Sequence, residues 1–243
     1  PNPKYALKNN YGLQNFTKTK QQLAPGQLEI VIKYQTDPVK LVDMVILAQE
    51  TIRNVARKHS CKALFLPKVH QMAAGNGLHV HLSFQDCITG ENKFSYHGNS
   101  TGGSSTLSPE GQSFMEGILQ HLPSLLGLTI PTVNSFRRVG LGCWTGHSMD
   151  WAIEDKEAPL RVCKNLFSSK LEHVEYKLCD STANLYLALA SIFFVGLHGI
   201  QNHLQLRPSK KQKNSTNNGE VASCSSLPET LDESLNELEK DDL

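Results

Sequence analysis

Gly75-Asn76-Gly77-Leu78-His79-Val80-His81-Leu82-Ser83-Phe84 decides how this chain is read. Leu78, Val80, Leu82 and Phe84 alternate with His79, His81 and Ser83, the period of a strand with one apolar face. That face calls for a core. The opposite face carries two imidazoles and a hydroxyl, with roughly 7 Å between successive same-face positions. Paired histidines on a half-exposed strand are also what an ordinary solvated face offers. The two glycines favour a site, because they let the backbone come close to whatever the histidines face.

On either side of this strand the sequence spells out helices and further strands. Residues 28–34 alternate Leu28, Ile30 and Ile32 with Glu29, Val31 and Lys33, which predicts a strand. Asp37-Pro38 then starts a helix, with Asp37 as N-cap and Pro38 at the first helical position. It runs to about residue 59, with Val42, Val45, Ile46, Ile52, Val55 and Ala56 as its apolar stripe. Residues 62–66 read as a short buried strand ending at Pro67. After the central strand, 86–106 is rich in Gly, Ser and Asn and reads as a surface loop. Ser108-Pro109-Glu110 opens a second helix, which Pro123 bends or ends. Residues 140–146 form a glycine-punctuated loop. Strands are expected at 148–153, 160–163 and 173–178, and a strongly apolar helix at about 183–204. The last stretch, 228–243, is an amphipathic helix with Leu231, Leu235 and Leu238 on one face. Strands with long helices at their edges, and no repeating βαβ pattern, argue for an α+β fold.

Bulk properties narrow the function classes. With 24 basic against 23 acidic residues there is no electrostatic footprint for nucleic acid or a membrane surface. The longest apolar run, around 185–195, is too short and too broken to span a bilayer, and there is no signal peptide. Six cysteines at 61, 87, 143, 163, 179 and 224 show no CxxC and no regular spacing, which predicts free thiols in a reducing, cytoplasmic compartment. Ten histidines leave room for a metal site. The chain does not begin with Met and ends within a helical pattern, which predicts a fragment or shortened variant.

Several blocks together resemble the glutamine synthetase family. Gly-x-Gly-x-His-x-His-x-Ser is joined upstream by Ala24-Pro25-Gly26-Gln27-Leu28-Glu29. Downstream follow Asn134-Ser135-Phe136-Arg137-Arg138, then Glu154-Asp155-Lys156-Glu157-Ala158-Pro159-Leu160-Arg161. Glu175-Tyr176-Lys177 and Asp180-Ser181-Thr182-Ala183-Asn184 complete the set. In detail the chain is similar to the type I, nodulin-like and fungal sporulation-protein branch. The resemblance implies a curved, largely antiparallel sheet with flanking helices. Residues 1–21, rich in Asn, Lys, Gln and Pro, read as a poorly ordered lead, and 208–226, rich in Lys, Ser and Asn, as a flexible linker. The resemblance makes 22–207 a partial catalytic domain and 227–243 a final helix of the same domain.

The resemblance implies an ATP-dependent glutamate–ammonia ligase that forms an amide through a γ-glutamyl phosphate. Mg2+ or Mn2+ would neutralise the phosphates. Glu29, His79 and Glu175 match metal ligands, with Gln22 at a fourth ligand position. Arg138, Arg161 and Lys156 match catalytic cations. Gly75, Arg138 and Lys177 match groups around the amino-acid substrate. His81, Ser83 and His173 match nucleotide contacts. Partners would be glutamate and ammonia or another amine, in a homo-oligomer, with no nucleic acid and no membrane.

Three departures matter. Gln22 replaces a carboxylate, and an amide oxygen brings no negative charge to a cation. Residues 1–21 hold no glutamate, so the family's upstream Glu-x-Glu strand is not present in them. Trp144, in Gly142-Cys143-Trp144-Thr145-Gly146, stands near where glutamine-forming members place a carboxylate for ammonium. The alternatives are an inactive subunit with an assembly or regulatory role, or a γ-glutamyl ligase for an organic amine.

Overall fold

A computed structural model describes residues 16–17, 26–96, 106–140, 142–165, 167, 170–209 and 225–243. Gln22 and most of the 208–226 stretch lie outside them. The chain forms two compact units, Pro1–Leu64 with Met72–Ala74, and Phe65–Gln71 with Gly75–Leu243.

In the first unit, β1 (Phe16–Thr17) pairs antiparallel with β2 (Val31–Ile32), Phe16 opposite Ile32. Helix α1 (Pro38–Lys58) starts as expected: the Asp37 carboxylate accepts from the backbone N–H groups of Val39 and Lys40 at 3.0 and 3.1 Å. Arg57 and Lys58 sit in its last turn, where positive charge suits the helix dipole. The strand expected over 28–34 shrinks to two residues. Leu28, Ile30 and Val31 are all exposed, so burial does not extend the alternation into a longer ladder. Of the stripe on α1, Val42 is buried while Ile46 is exposed. Residues 62–66 form no strand, and Leu64 and Leu66 are exposed: apolar alternation without a pairing partner makes no ladder.

The second unit is built on a four-stranded sheet ordered β3 (Val80–Leu82), β8 (Leu171–Tyr176), β7 (Leu160–Lys164), β6 (Trp151–Ile153). A separate pair joins β4 (Ser95–Tyr96) to β5 (Thr106–Leu107), so the middle and the far end of the expected 86–106 surface loop are paired. In the main sheet β3/β8 and β8/β7 are antiparallel, whereas β6 and β7 are parallel. One parallel edge among two antiparallel pairings accords with the expected largely antiparallel sheet. The short 154–159 connection joins the two strands, and Glu154 at its start has a positive φ of 55°. The Glu154 N–H donates to the Val162 carbonyl at 3.0 Å, and its carboxylate accepts from the Lys164 N–H at 2.8 Å.

Among the described residues five helices accompany this sheet, and those at 109–120 and 122–129 contact its apolar side. The five are α2 (Pro109–Gln120), α3 (Leu122–Thr129), α4 (Val133–Phe136), α5 (Leu185–Gln201) and α6 (Leu231–Lys240). Ser108 caps α2 through the Gly111 N–H at 2.8 Å. Pro123 falls in the first turn of α3, so the apolar 109–129 stretch becomes two helices. Phe84, just past β3, packs on Phe114 of α2 with ring centroids 5.7 Å apart. The Tyr176 hydroxyl of β8 lies 3.0 Å from the Thr129 hydroxyl of α3. Val80, Leu82, Leu160, Val162, Val174 and Tyr176 fill the buried layer between.

Two helix contacts are unusually close. A Cβ on Gly117 would lie 2.2 Å from the Val195 carbonyl oxygen, and one on Gly199 would lie 2.1 Å from that of Ser113. Helices α2 and α5 therefore cross at backbone distance. Helix α6 docks on α3, with the Ser234 hydroxyl donating to the Pro123 carbonyl at 2.8 Å. His121 Nδ1 meets the Asp241 carboxylate at 2.8 Å. Buried Glu116 of α2 accepts from Arg207 Nη2 at 2.6 Å and from its backbone N–H at 3.0 Å. The Arg207 carbonyl in turn accepts from Trp151 Nε1 at 2.8 Å, tying α2 to the edge strand β6.

Candidate active site

The register of the sheet assembles the polar face. His81 lies opposite Glu175, and Glu175 opposite Arg161. His173 lies opposite Cys163. Cross-strand partners share a face, and residues two apart return to it. His81, Glu175, His173, Arg161 and Cys163 thus stand on the face opposite the buried Val80, Leu82, Val174 and Val162. His79 and Ser83 continue that face at the two ends of β3.

Glu175 is the centre. Its side chain is 5% exposed. Oε1 accepts from His79 Nδ1 at 2.8 Å and lies 3.8 Å from His81 Nε2. Oε2 lies 2.7 Å from Arg161 Nε. Burial by itself would raise the pKa of this carboxyl. The His79 hydrogen bond and the charges of His79, His81 and Arg161 outweigh it and take it down to about 2. Arg161 is held charged in return: burial opposes its charge, but Glu175 more than compensates.

Two imidazoles flank this pair. His81 Nδ1 and His173 Nε2 are 2.9 Å apart, so one ring donates to the other. Burial is the main cause that lowers the His81 pKa to about 4, with Glu175 opposing. Burial also lowers that of His173, with Glu172 and Glu175 opposing. Ser83 is exposed at the end of the same face.

Arg138 follows α4 and is almost wholly buried, and burial lowers its pKa. Its Nη2 donates to the carbonyls of Lys177 and Cys179, at 2.9 and 2.5 Å. Its Nε has no hydrogen-bond partner among the described residues. A Cβ on Gly75 would lie 2.7 Å from Arg138 Cβ and 2.9 Å from the Pro67 carbonyl oxygen. A Cβ on Gly77 would lie 2.5 Å from His79 Nε2. The glycine pair is therefore what lets this backbone lie against both the arginine and the first histidine.

Lys177 is buried, and burial lowers its pKa while Glu175 opposes. Its ammonium hydrogen-bonds the Lys156 carbonyl. The Lys156 side chain itself is exposed in the 154–159 connection. Glu29 is exposed in the first unit, two residues ahead of β2.

Two residues were missed by sequence reasoning. Cys163 stands on the site face directly opposite His173, and burial pushes its thiol up to about 11. The alternation Arg161-Val162-Cys163 was the available signal. Glu157 accepts from the Trp144 N–H at 3.1 Å through Oε1, while its buried Oε2 has no partner among the described residues. Trp144 has a φ of 58° and is partly exposed. No sequence pattern foretold that pairing.

The fold and this strand face define a class: an α+β domain with an acid–imidazole–guanidinium cluster on an open sheet face. A family model described as the glutamine synthetase catalytic domain matches residues 8–243, and the chain belongs to that family. The chain is 34% identical to a glutamine synthetase of Methanocaldococcus jannaschii, over 91% of this chain and 48% of that one. It is 31% identical to the gamma-glutamylputrescine synthetase of Escherichia coli, over 76% of this chain and 38% of that one. A solved structure described as a novel glutamine synthase homolog superposes with a TM-score of 0.66 at 28% identity, covering 82% of this chain and 43% of that one. The chain spans about half the length of the curated glutamine synthetases it matches.

Proposed function

We propose that this chain carries the phosphate-side half of an ATP-dependent ligase site that forms an amide on the side-chain carboxylate of glutamate. The observation that carries the reading is the single sheet face, built from three strands, that holds His79, His81, His173, Glu175 and Arg161. Glu175 and His79 are the donors of this sheet face that would hold Mg2+ or Mn2+, and Glu29 is proposed as a ligand on its sequence motif alone. The donor set fits in part. A carboxylate with a pKa of about 2 is ionised throughout the working range, and hard cations prefer oxygen. One carboxylate and one imidazole leave most of the coordination shell to water, phosphate oxygens and other residues.

Such a cation would offset charge on the transferring phosphoryl group. Arg161 is proposed to do the same, and its Nε 2.7 Å from Glu175 Oε2 on this face supports the reading. His81, His173 and Ser83 are the groups proposed to touch the nucleotide. Neutral imidazoles there act as hydrogen-bond partners rather than as fixed charges. Arg138, anchored to two carbonyls, acts by positioning: it braces the Gly75–Gly77 backbone that the amino-acid end of the substrate would approach. Lys177, tied to the Lys156 carbonyl, holds the 154–159 connection against β8.

A second reading concerns the acceptor. Trp144 is partly exposed beside a Glu157 whose second carboxylate oxygen is buried and unpartnered. An organic amine could place its cation on Glu157 and its carbon chain on the indole. This reading replaces ammonia and leaves the phosphoryl chemistry unchanged.

The test is calorimetric titration of Mn2+ with and without ATP, paired with phosphate release from ATP plus glutamate. The expected result is Mn2+ binding strengthened by ATP and lost in Glu175→Gln. A Gln22→Glu variant should bind Mn2+ more tightly. Phosphate release by this chain alone should be far below that of a complete synthetase. Release with ammonia, or with an organic amine in its place, decides the acceptor. Failure of wild type and Gln22→Glu alike to bind Mn2+·ATP would overturn the proposal.

A further inference from the structure

We propose that His81, His173 and Cys163 form a site for a thiophilic divalent cation of the zinc class, distinct from the oxygen-preferring site at Glu175 and His79. Its two histidines are shared with the proposed nucleotide contacts, so that zinc and nucleotide would compete. One donor atom from each of the three lies within 4.8 Å of the others. They converge from three adjacent strands: His81 on β3, His173 on β8, and Cys163 on β7 directly opposite His173. Backbone register therefore fixes the arrangement, whereas a loop would leave it to chance.

Zinc–ligand bonds of about 2.0–2.3 Å put tetrahedral donors about 3.3–3.8 Å apart. The two imidazole nitrogens, now 2.9 Å apart, would need to part slightly to admit an ion. Their outer nitrogens already face carboxylates. His81 Nε2 is 3.8 Å from Glu175 Oε1, and His173 Nδ1 is 3.7 Å from Glu172 Oε2. A carboxylate hydrogen-bonded behind each ligating histidine orients imidazoles on zinc and raises their basicity; shortening both contacts to about 2.8 Å would complete that arrangement. The Arg161 guanidinium on the same face would repel a cation, but the Glu175 carboxylate at 2.7 Å offsets it.

The donor set decides which cation. Two imidazoles and a thiolate suit zinc and its soft neighbours, whereas Mg2+ and Mn2+ favour carboxylate and water. Cys163 is buried and the His81 side chain is half exposed, so the thiol closes the inner side and the fourth position opens outward. Three protein ligands with one position left to water or a ligand is the pattern of open rather than closed structural zinc sites.

Cobalt(II) is the probe, added to this chain in excess Mg2+ so that the oxygen-preferring site is filled. The expected result is one Co2+ per chain, with the visible bands of tetrahedral cobalt and a thiolate-to-cobalt charge-transfer band in the near ultraviolet. Zn2+ should displace it. Cys163→Ser should abolish the charge-transfer band and weaken Zn2+ binding at least tenfold. His173→Gln should weaken Zn2+ binding similarly, with circular dichroism checking that both variants fold. His79→Gln should leave the band in place, which separates this site from the Glu175 one. A charge-transfer band that survives Cys163→Ser, one lost in folded His79→Gln, or no Zn2+ bound at micromolar concentration would each overturn the proposal.

Discussion

Arg161 Nε on β7 stands 2.7 Å from Glu175 Oε2 on β8, and the two residues are direct cross-strand partners. A carboxylate this buried is stable only while its cations are present. Removing one partner of a buried pair costs about 3 kcal/mol or more, because the other charge is left uncompensated. Arg161→Ala should therefore lower the urea midpoint by a clear margin, and the Arg161→Ala/Glu175→Gln double variant should recover much of the loss. Equal loss in the single and double variants would show that the pair is not coupled.

The same carboxylate sets acid stability. Its folded pKa lies below the ordinary value of 4.5, at about 2. Its contribution is thus complete above pH 4.5 and is lost as pH falls toward 2, amounting to about 3 kcal/mol. His81 acts at higher pH. Its pKa is lowered from 6.5 to about 4, so the folded state resists a proton that the unfolded chain takes up. Stability from neutral His81 is full above pH 6.5 and declines as pH falls to 4. Denaturant melts across pH in a metal-free buffer should show Glu175→Gln flattening the lower limb and His81→Gln the upper one.

Gly117 and Gly199 keep α2 and α5 at backbone distance. Gly199→Ala forces its methyl onto the Ser113 carbonyl, where no flexible side chain can yield. The expected cost is about 3 kcal/mol, at the upper end for overpacking, or a chain that does not fold. Gly142→Ala, at a position with open space but a φ of 72°, should cost about 1 kcal/mol through strain alone. Thermal melts of the two variants compare the mechanisms directly.

Arg138→Lys keeps the charge and loses the planar fork that serves the Lys177 and Cys179 carbonyls. The two acceptors are buried, so the expected cost is about 2–3 kcal/mol. Because Gly75 packs on the Arg138 side chain, Gly75→Ala should be destabilising too. Amide exchange at 75–79 should rise in both variants. Unchanged exchange there would argue against Arg138 as the brace of this backbone.

Much of this was legible in the sequence because it was local. The helix starts at Asp37-Pro38 and Ser108-Pro109 rest on caps within three residues, and both stand as read. The alternation of 78–84 correctly put Val80 and Leu82 inward and His81 outward, since pleat geometry needs no partner to be specified. Where a strand depends on a neighbour, the same reasoning failed: 28–34 shortened and 62–66 formed no ladder.

The sequence by itself determined the family, the two faces of the central strand and the identities of most polar groups on it. Tertiary structure alone decided that Arg138 is buried against carbonyls and that β6 runs parallel to β7. It also set Glu157 against Trp144 and Cys163 opposite His173. Each of these depends on strand register or on packing between segments distant in the chain, and a one-residue slip would turn every side chain of a strand to the other face.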